Sequence, residues 1–434
     1  MYFLNLPVEV LLNILRSLEL ADLRNVMLSC RALRDIVLSN NSIWRTVCRN
    51  RLIVHNSTGN SNTSTLSCYK QYRISNNWSS GIYNSKVVIH HHTNYIPWLN
   101  FHNSQMLMLT VGSELRCYPI DRKGIPLCKN AIWKFEVPKV KRNDVRTNDI
   151  SRFIMSGNLI VCGNRDGSTS VFEVSEEMKQ KPRLIYYIED CHENGELEVS
   201  AVELITDSEK SCAITGSSYH SSLLFWHFNT KGADTKAERD PSEFYVKEMK
   251  FSNDVGIRCL SLHQDNNKVA VGLSGSNMPL LVDINSIQLL MTAGLTGNRR
   301  LLTRDIKWHD PNTIITVTHS GLLQLTDIRT HQVVFDMMDP FQSSLYCVKS
   351  DGDRAIVAGT SEYSRCVLFD TRYHACHVQM YFTQRKSSPV YSLDFDSTKL
   401  IAAADRSVAV LDFNINSYGK KRRDYSEKFE FVNR

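Results

Sequence analysis

The sequence predicts a chain of two parts, a small all-α bundle at the N-terminus followed by a large all-β ring of repeated sheets. Two observations lead to this expectation. In the first fifty residues, apolar side chains recur with the period of an α-helix. From about Lys86 onward, short apolar runs bounded by polar turns replace that period and recur at a nearly constant spacing.

The first predicted helix, over residues 8–18, carries apolar side chains on two sides. One stripe has the spacing i, i+3, i+4, i+7, and a second lies elsewhere on the helix. The first stripe comprises Val8, Leu11, Leu12 and Leu15, and the second comprises Val10, Ile14 and Leu18. A helix with two apolar sides must bury both, so it needs a neighbour on each side.

Three more helices are predicted before the chain becomes polar. Asp22 is expected to cap the second helix, and Ser42 the fourth. Their apolar positions are Leu23, Val26, Met27 and Cys30 in the second, Leu33, Ile36 and Val37 in the third, and Ile43, Trp44 and Val47 in the fourth. The stretch 56–68 is rich in Ser, Thr and Asn and predicts a linker, after which residues 66–78 predict one short helix.

The remainder of the chain is an internal repeat. Four strand pairs each end in an aspartate, and these aspartates are 44, 43 and 42 residues apart: Asp283, Asp327, Asp370 and Asp412. Three earlier segments, 106–120, 158–174 and 212–228, have the same shape, which makes seven units. Insertions at 121–149 and 229–250 are expected to absorb the wider spacing between the early units.

A period of about 40–45 residues with four strands per unit predicts a seven-bladed β-propeller. One such sheet cannot bury both faces alone, so neighbouring sheets pack in a closed ring. After Asp412 the chain is too charged for an outer strand. The segment 86–92, which begins "KVVIH", is therefore expected to supply the outer strand of the last blade, and 428–432 is the competing candidate.

The sequence carries little sign of catalytic chemistry. It contains no glycine-rich phosphate loop and no nucleophile elbow. Alternation along a strand places His91 on the face opposite His90 and His92, so the three cannot converge on one metal ion. Cys191-His192 and Cys376-His377 stand alone. We therefore expect no catalytic residues, no metal site and no cofactor.

Composition bounds the partners and the compartment. Lys and Arg number 51 against 45 Asp and Glu, and the basic runs at 138–142 and 420–423 are short, so nucleic acid is not an expected partner. No apolar stretch is long enough to cross a bilayer, and no signal peptide is evident. The twelve cysteines include no C-x-x-C pair. The sequence predicts a cytoplasmic or nuclear protein that does not bind membranes.

The repeats resemble degenerate WD repeats. The dipeptide that names them survives loosely, as Phe369-Asp370, Leu411-Asp412, Thr326-Asp327 and Val282-Asp283. In the first three units Pro119, Glu173 and His227 stand where the Asp is expected, and the Gly-His that usually opens a repeat is missing. The resemblance therefore depends on the recurrence of seven units more than on any one motif.

The N-terminal residues resemble an F-box. The matching residues are Leu6-Pro7, Glu9-Val10, Ile14-Leu15, Asp22-Leu23, Cys30-Arg31, Arg34 and Trp44-Arg45, whereas Leu33 stands where many F-boxes have Trp. With the segment 69–81, the chain resembles the F-box/WD-repeat family along nearly its whole length, and its dactylin-type members in particular. The expected divisions are an F-box at 1–52, a linker at 53–82, the propeller at 83–415 and a basic tail at 416–434.

This resemblance implies a substrate-recognition subunit of a Skp–cullin–F-box ubiquitin ligase. The F-box would dock a Skp-type adaptor, and through it a cullin–RING ligase, while the propeller would bind a protein substrate. The expected adaptor-binding residues are Leu6, Pro7, Val10, Leu11, Ile14, Leu15, Leu23 and Trp44.

The expected substrate-binding residues are arginines on the propeller rim that carries the loops between the second and third strands. They are Arg152, Arg165, Arg258, Arg304, Arg365 and Arg406, with Tyr219, His319 and Tyr346 among them. Together they could bind a phosphorylated or acidic segment through bidentate hydrogen bonds. Alternatively, they are ordinary loop arginines, some of them paired with Asp166, Asp305 or Asp405.

Two other functional classes remain open on sequence alone. The first is a WD-repeat scaffold unconnected with ubiquitin, in which the N-terminal helices only cap the propeller. The second is a hydrolase or metal enzyme that uses the propeller channel. The sequence contains no motif that supports this second class.

Overall fold

The computed structural model places five helices before the β-sheets. It describes residues 3–421 except for 58–65, 92–95, 103–104, 122–123, 128–130, 143–145, 176, 208–209, 230–243, 253–254, 292–301, 375–376, 383–386 and 418–419. The helices are α1 (Val8–Ser17), α2 (Leu20–Ser29), α3 (Arg31–Ser39), α4 (Asn41–Cys48) and α5 (Cys68–Ser80). None of the described helices is long and apolar enough to cross a membrane.

The bundle of α1–α4 has a small apolar core. Its buried side chains are Leu11, Leu15, Leu23, Leu33, Val37, Ile43 and Trp44. The predicted caps were wrong. Asp22 lies in the first turn of α2, which begins after Glu19, and the α4 cap is Asn40, whose side chain accepts a hydrogen bond from the Ser42 backbone N–H.

Helix α5 joins the bundle to the β-sheets. At its N-terminal end, Tyr69 and Tyr72 pack against the Trp44 ring, with centroids 4.8 and 5.0 Å away. At its C-terminal end, Trp78 stacks on Phe413 at 3.6 Å and donates a hydrogen bond to the Ser397 carbonyl at 2.9 Å. Aromatic contacts at both ends, tilted at the bundle and stacked at the propeller, connect the two parts through one element.

Seven antiparallel sheets of four strands follow α5. The first three blades contain β2 (Leu99–His102), β3 (Met106–Val111), β4 (Glu114–Pro119) and β5 (Trp133–Glu136); β6 (Ile150–Ser156), β7 (Leu159–Asn164), β8 (Thr169–Glu173) and β9 (Arg183–Ile188); and β10 (Ala201–Ile205), β11 (Lys210–Gly216), β12 (Ser222–Asn229) and β13 (Phe244–Lys250). The next three contain β14 (Ile257–Leu262), β15 (Lys268–Leu273), β16 (Leu280–Asp283) and β17 (Gln288–Met291); β18 (Thr303–Asp310), β19 (Thr313–Thr318), β20 (Leu322–Asp327) and β21 (Gln332–Met338); and β22 (Leu345–Ser350), β23 (Ala355–Thr360), β24 (Arg365–Asp370) and β25 (His377–Tyr381). The seventh blade contains β26 (Val390–Phe395), β27 (Lys399–Ala404) and β28 (Ser407–Asp412), together with β1 (Asn84–His90) from the start of the propeller.

The predicted fold class, an α-helical bundle followed by a seven-bladed β-propeller, is confirmed. The ring closes through β1, which lies antiparallel to β28 as the outer strand of the seventh sheet, with Lys86 opposite Val410. The competing segment 428–432 lies outside the described residues. The two predicted insertions are not loops throughout, because they contain the outer strands β5 and β13.

Close approach between blades depends on glycine at two equivalent positions. A Cβ on Gly216 would lie 2.6 Å from Ile257 of the next blade, and one on Gly359 would lie 2.7 Å from Val390. Both distances are shorter than carbon atoms allow, so a larger residue would push neighbouring sheets apart.

A buried hydrogen-bond chain fixes one loop of the third blade. His192 Nε2 lies 3.2 Å from Thr215 Oγ1, to which Trp226 Nε1 donates a hydrogen bond at 3.0 Å. Burial lowers the pKa of His192 to about 3, and His220 adds to the effect. Burial likewise raises the pKa of the Cys191 thiol to about 12. The sequence offers no partner motif for Cys191-His192, and in the structure both side chains are buried and have a structural role.

Two candidate binding surfaces

Helix α1 and the residues near it present apolar side chains to solvent. Val8 is 63% exposed, Val10 43% and Ile14 37%. Phe3, Leu4 and Leu28 are also exposed. We call these six residues the α1 face. Several large apolar side chains exposed within one small domain are typical of a site where a partner protein packs.

The structure divides the eight predicted adaptor-binding residues. Val10, Ile14 and Pro7 are exposed, and Leu6 is half-buried. Leu11, Leu15, Leu23 and Trp44 are buried in the bundle core, so they cannot contact a partner while the bundle is folded. Sequence reasoning missed Phe3, Leu4 and Leu28. Val8 belongs to the same predicted stripe as Leu11, but it lies in the first turn of α1 and is exposed, whereas Leu11 is buried.

The second surface is the mouth of the propeller channel, on the face where the inner strands begin. We define the mouth by Trp98, Ser151, Arg152, Glu198, Ser200, Ser218, Arg258, Arg304, Tyr346 and Tyr391. These residues come from all seven inner strands or the loops entering them, and from one loop between second and third strands. Several blades thus contribute to one small depression.

Arg258 and Arg304 are the partly exposed cations of the mouth. The Arg304 guanidinium lies over the Tyr346 ring at 4.7 Å, and its Nη2 is 3.3 Å from His319 Nδ1. Arg258 Nη1 donates a long hydrogen bond of 3.5 Å to Ser218 Oγ. The Nε atom of each is buried without a hydrogen-bond partner, and neither forms an ion pair of 4 Å or less with any described carboxylate.

The electrostatics of the mouth favour an anion. Burial lowers the pKa of Arg304, and the charge of Arg258 lowers it further. The same two arginines also lower the pKa of His319, after the larger effect of burial. Two like charges that are partly buried and have unused N–H donors are stabilised more by an anionic ligand than exposed, paired charges are.

The remaining predicted arginines differ in placement. Arg152 lies deeper in the channel, over Trp98 at 4.1 Å and 3.3 Å from Asp305 Oδ1. Arg165 lies 3.8 Å from Glu198, and Arg406 is exposed in the turn between β27 and β28. Of the three other predicted rim residues, His319 and Tyr346 lie at the mouth, while Tyr219 projects from the rim and is 73% exposed.

The prediction for Arg365 was wrong. Its side chain is fully buried and makes two hydrogen bonds to Asp339, of 2.7 and 2.8 Å, and one of 2.7 Å to Gln379. The guanidinium also lies over the Phe341 ring at 4.7 Å. Arg365 is therefore a structural residue of the sixth blade and cannot reach a substrate.

Below the mouth, the channel is filled by charges that pair with one another. Lys349 lies 3.4 Å from Asp394, which also accepts a hydrogen bond from the Phe101 backbone N–H. At the opposite end of the channel, the Ser57 hydroxyl donates to Asp394. Among the described residues, no three His, Cys, Asp or Glu side chains are arranged to hold a metal ion.

The bundle and the ring together define a class of protein: an F-box domain joined to a β-propeller. Residues 3–50 match the F-box-like family. The chain is 23% identical to F-box/WD repeat-containing protein 4 of Mus musculus, over 94% of this chain and 92% of the relative, and equally identical to the Homo sapiens protein over the same shares. The chain is therefore similar to F-box/WD-repeat proteins along nearly its whole length, and the described strands form the seven-bladed propeller that follows the F-box-like residues.

One solved structure shows the same propeller fold. The computationally designed Ika8 protein superposes with a TM-score of 0.50 at 16% identity, over 75% of this chain and 98% of that chain. At this identity the likeness concerns the fold alone.

Proposed function

We propose that this protein is the substrate-recognition subunit of a Skp–cullin–F-box ubiquitin ligase. The observation that carries the proposal is the pairing, in one chain, of an F-box bundle whose α1 face is uncovered with a propeller whose mouth holds unpaired arginines. An F-box/WD-repeat architecture supports a role of this kind.

On the adaptor side, the docking residues are those of the α1 face. Val10 and Ile14 are one turn apart, so their side chains project from the same side of the helix. A Skp-type adaptor would cover them in an apolar groove, where buried aliphatic anchors supply most of the binding energy. Leu11 and Leu15, on the other side, hold the helix in place.

On the substrate side, Arg258 and Arg304 are the principal ligand-binding residues. A phosphorylated or acidic segment would satisfy their free N–H donors, with His319 and Tyr346 beside them. Arg165 and Arg406 would guide the segment from the rim. Arg152 takes an indirect part, because its guanidinium is committed to Asp305 and Trp98.

The proposal assigns no catalytic step and no cofactor to this chain. Ubiquitin transfer is left to the cullin–RING ligase, which the adaptor would bring, and the protein would act in the cytoplasm, the nucleus or both, without nucleic acid or membrane as partner.

Co-purification tests the proposal. Tagged full-length protein should retain a Skp-type adaptor, and the double variant Val10→Asp with Ile14→Asp should lose it. The matched control is Leu184→Asp, since Leu184 is 43% exposed on β9, far along the chain from the bundle. Equal adaptor recovery from both variants would contradict the proposal.

The scaffold alternative makes a different prediction. If the bundle only caps the propeller, deletion of residues 3–48 should destabilise the ring. The contacts of α5 with Phe413 and Ser397 lie outside that segment, so we expect the deleted chain to keep the propeller's melting temperature and lose only the adaptor.

A further inference from the structure

A second cationic cavity lies where the F-box bundle meets the propeller. It is bordered by α4, the first residues of the linker, and the turn between β22 and β23 of the sixth blade, and its volume is about 330 Å³. The charged side chains that line it, with one histidine, are Arg45, Arg49, Arg51, His55, Asp353 and Arg354, and the thiols of Cys48 and Cys68 also border it. We call it the junction cavity.

Four guanidinium groups face one carboxylate in the junction cavity. Asp353 pairs with Arg354, with 3.6 Å between Oδ2 and Nε. The neighbouring Asp351 adds a second negative charge, but its oxygens accept backbone N–H groups of residues 353–355 and of His55, and it forms no ion pair of 4 Å or less with any described arginine. Four guanidinium charges still exceed the two carboxylate charges. Positive charge therefore predominates in this cavity.

Two of the four arginines are uncommitted. Arg45 and Arg49 make no side-chain hydrogen bond or ion pair with any residue that the structure describes. Arg51, by contrast, is held in place: it lies 5.1 Å over the Tyr72 ring and donates to Asn76 Oδ1 at 3.4 Å. The cavity thus combines a pre-oriented cation with free ones, an arrangement that lowers the entropic cost of binding an anion.

The chemistry of these side chains indicates phosphate. Like charges gathered in a partly enclosed cavity repel one another more strongly than they would in bulk water, and a counter-ion removes that cost. Guanidinium groups match phosphate oxygens in a bidentate geometry. The volume lies at the low end of the roughly 300–1,000 Å³ usual for small-molecule sites, so it suits a compact ligand.

We infer that the junction cavity binds a small oligophosphate anion, whose phosphate groups connect Arg45 and Arg49 of the F-box side to Arg354 of the propeller. Because the two sides come from different domains, the bound anion would stiffen the junction and fix the direction of the α1 face relative to the mouth. This inference does not depend on the proposed ligase role.

Calorimetric titration of the full-length protein with sodium tripolyphosphate tests the inference. The variant Arg49→Gln with Arg354→Gln should bind at least tenfold more weakly than wild type, since each lost charge-assisted bond is a large share of the affinity. Arg31→Gln with Arg34→Gln removes the same charge from exposed positions on α3 and should leave the affinity unchanged. The mouth is a second anion-binding site under the proposed function, so wild type should show two binding events, and Arg258→Gln with Arg304→Gln should remove only the event at the mouth.

Several results would overturn the inference. They are equal binding by wild type and the Arg49/Arg354 variant, loss of binding only in the mouth variant, or equal binding of sulfate at the same ionic strength. A doubly phosphorylated peptide that bound more tightly than tripolyphosphate would replace the small anion with a protein ligand. If the double variant fails to fold, Arg45→Gln alone is measured against Arg31→Gln alone.

Discussion

The F-box bundle and the propeller leave opposite kinds of side chain without a partner. In the bundle, a seven-residue core is too small to cover both sides of α1, so Val10 and Ile14 remain exposed. In the propeller, each sheet is covered by its neighbours, and the buried atoms without a hydrogen-bond partner at the mouth include the guanidinium Nε atoms of Arg258 and Arg304. The first surface selects an apolar partner and the second an anionic one.

This difference lets one chain hold two partners without competition. Apolar burial is insensitive to salt, whereas attraction between exposed charges is screened over about 8 Å at physiological ionic strength. Raising the salt concentration should therefore weaken ligand binding at the mouth and leave the α1 face unaffected.

The largest expected effect concerns an arginine that is paired. Asp339→Ala would leave the Arg365 guanidinium buried without its counter-charge, which costs about 3–5 kcal/mol of folding free energy. Urea unfolding followed by tryptophan fluorescence measures this loss. Changing Arg365 to Met as well should restore most of the stability, and a single variant as stable as wild type would contradict the structural role of the pair.

The bundle offers a matched pair of sites one turn apart. Leu11→Ala removes a buried side chain and should cost about 2–5 kcal/mol of bundle stability. Ile14→Ala should change stability by less than about 0.5 kcal/mol, because Ile14 is exposed. Binding to a Skp-type adaptor, measured by surface plasmon resonance, should weaken for Ile14→Ala by tenfold or more. If Leu11→Ala weakened adaptor binding and Ile14→Ala destabilised the bundle, the core-facing and partner-facing sides of α1 would have to be exchanged.

At the mouth, the double variant Arg258→Glu with Arg304→Glu should abolish capture of phosphorylated peptides. Each charge-assisted hydrogen bond contributes roughly 1.5–3 kcal/mol, so losing two costs at least a hundredfold in affinity, about 2.8 kcal/mol. A pooled library of phosphoserine and phosphothreonine peptides is the probe, and adaptor binding is the control. Unchanged peptide capture would show that the propeller binds its substrate elsewhere or through apolar contacts.

Sequence alone could predict the architecture because the pattern of strands and turns is set by residues close together in the chain. The spacing of Asp283, Asp327, Asp370 and Asp412 reports one strand pair per blade, and these four aspartates end equivalent strands or lie within them in the structure. The closing strand was predictable for the same reason, since an apolar segment without a blade of its own has one place to pair.

Whether each arginine is paired or available to a ligand could not be predicted, because this depends on contacts between residues that are distant in the sequence. Arg365 and Arg304 both stand at the start of a strand, yet Arg365 pairs with Asp339 in the loop before its blade, whereas Arg304 contacts Tyr346 and His319 and forms no ion pair with a described carboxylate. In α1, likewise, two apolar stripes were evident, but which one faces the core depends on where α2–α4 pack.

The smallest expected effect separates the two regions by pH. Burial holds the pKa of His192 near 3 in the folded propeller, against 6.5 when unfolded, so below pH 6.5 the unfolded chain takes up a proton that the folded chain refuses. The stability that His192 contributes is complete above pH 6.5 and is lost as the pH falls toward 3. At one pK unit per about 1.4 kcal/mol, acidification to pH 5 should cost the propeller about 2 kcal/mol from this group.

The variant His192→Gln should lose that part of the pH dependence in urea unfolding, while His331→Gln, at an exposed histidine, should keep it. Residues 3–50 contain no histidine, so adaptor binding should survive the same pH change. Identical pH slopes for wild type and His192→Gln would show that burial does not hold the imidazole of His192 neutral.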